Sequence, residues 1–149
     1  MYRHNRNSGI RRIMRYEEAL RLVNNIKPIA GRGVNAGIRP LGHRRHAQYQ
    51  IRMRQDESIA CRLYRTDVVV FDKDGTITID PDGYSTISTA NFISEVLGIP
   101  AYQFNYRLIV RVNNECYQAD KLKLRYDEQG WGGYKVVDCT RDIVHGLDR

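Results

Sequence analysis

At 149 residues the chain is of single-domain size and long enough to bury a core, and 42% hydrophobic with 28% charged residues excludes the disordered and membrane-embedded classes. The net charge of +7 is unevenly placed: residues 1–54 carry thirteen Lys and Arg against only Glu17 and Glu18, whereas residues 55–149 carry eleven against fifteen Asp and Glu. No apolar run approaches the roughly 18–20 residues of a membrane span, the polar start lacks a secretory signal's apolar stretch, and three scattered cysteines (Cys61, Cys116, Cys139) favour a reducing compartment over a disulfide framework.

The first regular pattern runs from Ile10 to Ile26, where Ile13, Tyr16, Leu20, Val23 and Ile26 recur at three- and four-residue spacing. It predicts an amphipathic helix capped at Asn7 or Ser8 and ended by Pro28. Its apolar face holds no Trp or Phe, which favours packing on a core over lying on a membrane. From Lys27 to His46 the periodicity stops. Gly31, Gly33, Gly37, Gly42, Pro28 and Pro40 punctuate a segment that also carries Arg32, Arg39, His43, Arg44, Arg45 and His46. A loop of this length in a compact domain is usually functional or disordered. Its Gly31-x-Gly33-x-x-Ala36 matches a dinucleotide fingerprint in form only, with no strand before it and no helix after it.

From Tyr49 onward the period becomes two. Tyr49, Ile51 and Met53 alternate with polar residues, as do Ile59, Cys61 and Leu63 after a turn at Gln55-Asp56-Glu57. Val68–Phe71 is a short apolar strand, and Thr76–Ile79 alternates again, so Asp72-Lys73-Asp74-Gly75 predicts a hairpin corner. Beyond Pro81-Asp82-Gly83, a helix capped by Ser85 or Ser88 runs to Leu97 with Phe92, Ile93, Val96 and Leu97 inward, Gly98 as its stop and Pro100 beyond. Strands follow at Gln103–Val112, Glu115–Gln118, Leu122–Tyr126 and Tyr134–Val137, with a turn at Asn113-Asn114 and a glycine-rich loop around Trp131. The predicted fold class is α+β: one domain over 1–149, an antiparallel β-meander with an N-terminal amphipathic helix and one central helix. A basic helix and loop, 1–47, lead into a mainly β body, 48–149.

Val68-Val69-Val70-Phe71-Asp72-Lys73-Asp74-Gly75-Thr76 resembles the first motif of the haloacid-dehalogenase-like phosphatases. That resemblance implies Asp72 as nucleophile, Asp74 as acid/base, a magnesium ion, Asp138 and Asp142 as its acidic pair, and Lys121, Lys123 or Lys135 on phosphate. The family's core is a parallel sheet with a helix after nearly every strand. Here the pattern after Thr76 enters another strand, so Asp74-Gly75 reads as turn geometry. His43-x-x-His46 has no Cys-x-x-Cys partner, Asp72, Asp74, Asp80 and Asp82 lack a calcium loop's glycine and glutamate, and no Gly-x-Ser-x-Gly occurs. No catalytic residue, metal or cofactor is therefore expected.

The cations remain. Arg11, Arg12, Arg15, Lys27, Arg32, Arg39, His43, Arg44 and Arg45, with Tyr2, Tyr16 and Tyr49 nearby, supply charge for phosphates and rings for bases. They predict a non-enzymatic binding protein for nucleic acid or another polyanion, such as an acidic protein surface, with no membrane partner. The competing expectation is that these arginines pair with the chain's own acidic half. Finally, Lys27-Pro28-Ile29-x-Gly31-Arg32, Arg39-Pro40-Leu41-Gly42-x-Arg44-Arg45, Leu63-Tyr64-x-Thr66-x-Val68-Val69, Asp74-Gly75 and Gly83-Tyr84-x-Thr86-x-x-Thr89 follow in order. Over residues 17–98 the chain resembles a group of small tailed-bacteriophage proteins without an assigned function. The resemblance implies a phage product in the host bacterial cytoplasm or, alternatively, a structural component of the virion.

Overall fold

The computed structural model describes residues 8–129 and 133–139. Its elements run α1 (Tyr16–Asn25), β1 (Tyr49–Met53), β2 (Ile59–Leu63), β3 (Thr66–Phe71), β4 (Thr76–Ile79), α2 (Ile87–Leu97), β5 (Ala101–Phe104), β6 (Arg107–Val112), β7 (Glu115–Gln118), β8 (Leu122–Tyr126) and β9 (Tyr134–Asp138). One sheet has the order β1-β2-β3-β4-β8-β9 and a second β5-β6-β7, and the named pairs in both are antiparallel. The class is α+β. The chain leaves the large sheet after β4, forms α2 and the small sheet, and returns as β8 beside β4. No helix among the described residues is long and apolar enough to cross a membrane.

Alternation explains the sheets, and the turns close them. Asn113 and Asn114 both take positive φ (52° and 68°), a conformation that asparagine tolerates better than most residues. At the Asp72–Gly75 corner, Gly75 N–H donates to the Asp72 carbonyl at 3.0 Å and Thr76 N–H to Asp74 Oδ1 at 2.8 Å. The phosphatase-like motif is thus a hairpin turn between two antiparallel strands. The backbone bond to Thr76 lowers the Asp74 pKa, whereas burial, helped by Asp74 and Asp56, raises that of Asp72. A raised carboxyl pKa means that folding disfavours the charged form, so Asp72 costs stability as pH rises through the carboxylate range. Asp72→Asn should therefore unfold at a higher temperature than wild type at neutral pH, by under about 1 kcal/mol. Melts repeated toward pH 3 should show the two converging; a variant that is less stable at neutral pH contradicts this account.

Three sequence expectations need correction. The first helix begins at Tyr16 rather than near residue 10, and Arg15 occupies its N-cap without a side-chain bond. Glu17 and Glu18 sit in its first turn, where the helix dipole favours negative charge, and Glu18 reaches back to the Met14 amide at 2.9 Å. Residues 8–13 run along α2 instead. Ser8 Oγ donates to the buried Glu95 carboxylate at 2.6 Å, Ile13 N–H to the Val96 carbonyl at 2.7 Å, and Arg12 Nε to the Leu97 carbonyl at 3.2 Å. These bonds outweigh extension of the helix, although Ile13 stays buried as its spacing implied. Second, Gln103–Val112 is a hairpin, because Asn105 and Tyr106 (φ 50° and 62°) fold the run in two. Third, α2 is capped by Thr86, whose hydroxyl accepts from Thr89 N–H at 3.1 Å, and not by Ser85 or Ser88. Tyr2, the Asn7 cap, the loop around Trp131 and Asp142 lie outside the described residues.

The core joins both helices to both sheets, with Val23, Ile51, Phe71, Phe92, Leu97, Leu108, Leu124 and Tyr134 in one buried cluster. Cys61, Cys116 and Cys139 are not joined in disulfides, and burial pushes the Cys61 pKa up.

Candidate nucleic-acid interface

The 27–46 segment forms no helix or named strand, yet backbone bonds fasten it. Leu41 N–H donates to Tyr49 O at 2.8 Å and Ile51 N–H to Arg39 O at 3.0 Å, laying residues 39–41 against β1. Leu41 is buried beneath. Between them, Ile29 and Ile38 face each other through Ile29 N–H to Ile38 O at 2.8 Å, so 30–37 forms a small lobe. A series of rings ties the rest to the core: Phe92 stacks on Tyr49 (5.8 Å between centroids), Tyr49 meets His46 edge-on (6.1 Å), and His46 meets His43 (5.9 Å).

His43 N–H also donates to the Ser8 carbonyl at 2.8 Å, which brings residues 8–11 against 41–44. A cleft of about 940 Å³ opens between these two segments and the end of α1. Arg11, Lys27, His43 and Arg44 line it over an apolar floor of Leu22, Ile26, Pro28 and Leu41. A smaller cleft of about 200 Å³ shares Arg11, Leu22 and Asn25 and adds Arg12, Arg21 and Glu18. The two make one basic band along α1. Arg44 Nη1 donates to the Lys27 carbonyl at 3.0 Å, fixing the cleft wall while leaving guanidinium donors to spare.

Four of the nine predicted site residues thus meet in one cleft, and Arg12 adjoins it while serving the C-terminal end of α2. The others do not join them. Arg15 lies over the Tyr126 ring at 5.0 Å and pairs with Glu17 at 3.7 Å. Arg32 is exposed on the 30–37 lobe, and Arg39 is drawn inward, its buried Nε without a hydrogen-bond partner among the described residues. Arg45 turns into a different cleft of about 380 Å³, shared with Arg65 and Tyr64. Tyr16 is buried, its hydroxyl on the Glu57 carbonyl at 2.8 Å, so it offers no ring to a partner.

Two cations escaped the sequence reading. Arg21 belongs to the basic band because the chain before α1 doubles back past it, which no helical spacing records. Arg65 belongs with Arg45 through the tight β2–β3 turn. No group of three or more His, Cys, Asp or Glu among the described residues is placed to hold a metal ion. Comparison of the chain with protein-family models, with curated proteins and with solved structures finds no match.

Proposed function

We propose that this protein is a non-enzymatic binder of nucleic acid, gripping phosphates through the basic band of Arg11, Arg21, Lys27, His43 and Arg44. One observation carries the reading. Among the described residues, no carboxylate lies within ion-pair distance of Arg11, Arg21, Lys27 or Arg44; the ion pairs join Arg15 to Glu17, Arg52 and Arg62 to Asp67, and Lys73 to Glu57. Glu18 lines the band as well, but its carboxylate accepts from the Met14 amide rather than pairing with these cations. Clustered, uncompensated arginines repel one another, and a polyanion relieves that repulsion while releasing its own counterions. The phage setting implied by the sequence resemblance makes phage or host nucleic acid the natural polyanion.

The test is the salt dependence of binding. Affinity for a labelled oligonucleotide should fall steeply with added salt, each phosphate contact contributing about −0.7 to −0.9 to the logarithmic slope. Arg11→Ala with Lys27→Ala should flatten the slope by roughly 1.4–1.8 if each side chain holds one phosphate. Both residues are exposed, so stability should change by no more than about 0.5 kcal/mol apiece. Absence of binding to both single and double strands near about 50 mM salt rejects the proposal.

A further inference from the structure

On the far side of the β2–β3 turn lies a cleft of about 500 Å³, within the usual range for small-molecule sites. Tyr64 and Tyr84 line it, with Leu63, Val68 and Pro81 among its apolar residues and Arg65 at its edge. Both tyrosines are largely exposed, at 66% and 60%, in a protein that buries Tyr16 and Tyr134. Neither tyrosine sits on a loose segment. Tyr64 N–H donates to the Gln48 carbonyl at 2.8 Å, and Arg62 Nη2 to the Arg65 carbonyl at 2.7 Å. Tyr84 N–H donates to Pro81 O at 3.0 Å, and Gln103 Nε2 to Ser85 O at 2.6 Å. Tyr64 moreover takes a φ of 55°, a region where glycine or asparagine is the ordinary occupant.

The Tyr64-Arg65 turn is shared with the cleft that Arg45 enters, so the two clefts adjoin across it. Among the described residues no Asp or Glu lines either one, although residues 55–149 carry an excess of acid. Among the described residues that line them, the charged ones are Arg45 and Arg65, and Arg45 follows directly on Arg44 of the basic band. Exposed rings beside uncompensated arginines match an occupant that carries flat apolar faces on an anionic backbone. A duplex keeps its base faces stacked inside, whereas an unpaired strand offers them to aromatic side chains. We infer that the Tyr64–Tyr84 cleft takes an unpaired nucleobase, with Arg65 and Arg45 on the flanking phosphates, and that the nucleic acid bound is single-stranded. The inference rests on the nucleic-acid reading above and narrows it.

Fluorescence anisotropy with a short labelled oligothymidylate, and with the same strand annealed to its complement, tests this. The single strand should bind the more tightly. Tyr64→Ala and Tyr84→Ala should each weaken it roughly tenfold while leaving duplex affinity unchanged, in keeping with the loss of one stacked base. Tyr84→Phe should retain wild-type affinity, and Tyr64→Leu, which keeps apolar bulk without a ring, should lose it; these variants decide the matter if an alanine variant does not fold. Equal binding of both forms, with the tyrosine variants unaffected, overturns the stacking site and leaves phosphate gripping in place. Failure to bind either form overturns both. Preference for polyglutamate over both nucleic acids overturns them in favour of an acidic protein partner.

Discussion

Replacing Phe92 by alanine is expected to remove about 3–5 kcal/mol of stability and to lower the unfolding midpoint by on the order of 10 °C. Phe92 is 1% exposed on α2, a helix that also buries Ala90, Ile93, Val96 and Leu97. Because α2 packs against β2 and β3 of the large sheet and β5 of the small one, a void at Phe92 cannot close without moving both sheets. Deleting the ring also removes the end of the Phe92–Tyr49–His46–His43 series, on which one wall of the basic cleft depends. The variant should therefore bind nucleic acid more weakly even where it remains folded. Thermal unfolding followed by circular dichroism, with binding measured well below the midpoint, checks both effects. A loss smaller than about 1 kcal/mol would mean that the ring is not a core contact.

The sheets were legible because period-two alternation and turn residues are local signals. Val69, Phe71, Ile77 and Ile79 announce the burial that the structure gives them, and Asp74-Gly75 and Asn113-Asn114 mark real corners. Errors fell where a distant contact overrode a local preference. Ile13 fits the helical stripe, but its amide is claimed by Val96, 83 residues later, so the helix starts after it. Tyr106 looks like another strand residue, yet with Asn105 it turns the chain at positive φ. The candidate site was legible in residue type and not in grouping. Arg44 and Arg45 are neighbours in sequence and enter different clefts, whereas Arg11 and Arg44, far apart in sequence, meet where the His43–Ser8 bond joins their segments. Tyr64 and Tyr84 showed no signal beyond their resemblance motifs, because an exposed ring in a turn reads the same whether or not it lines a cleft.

That His43–Ser8 bond sets up the most demanding test of the cleft. Gly42 lies so close to Ser8 that an added Cβ would overlap the Ser8 carbonyl oxygen, the same atom that accepts from His43 N–H. Space is the constraint there, since Gly42 does not hold a positive φ. The obstacle is backbone, and Ser8 is anchored in turn by its hydroxyl on the buried Glu95 carboxylate at 2.6 Å. Gly42→Ala must therefore push the 8–11 segment away from 41–44 or strain both, at a cost of about 1–3 kcal/mol by the usual scale for overpacking. Those segments carry Arg11 on one side of the cleft and His43 and Arg44 on the other, so their cations should no longer converge on one phosphate run. Oligonucleotide affinity should fall several-fold, with a shallower salt slope, in protein that is still folded. Gly33→Ala is the matched control: a Cβ there meets nothing within 4 Å, and stability and affinity should both stay close to wild type, within about 0.5 kcal/mol. If Gly42→Ala behaves like Gly33→Ala in both measurements, the two walls are not held together through Ser8 and His43, and the phosphate grip must lie elsewhere on the basic half.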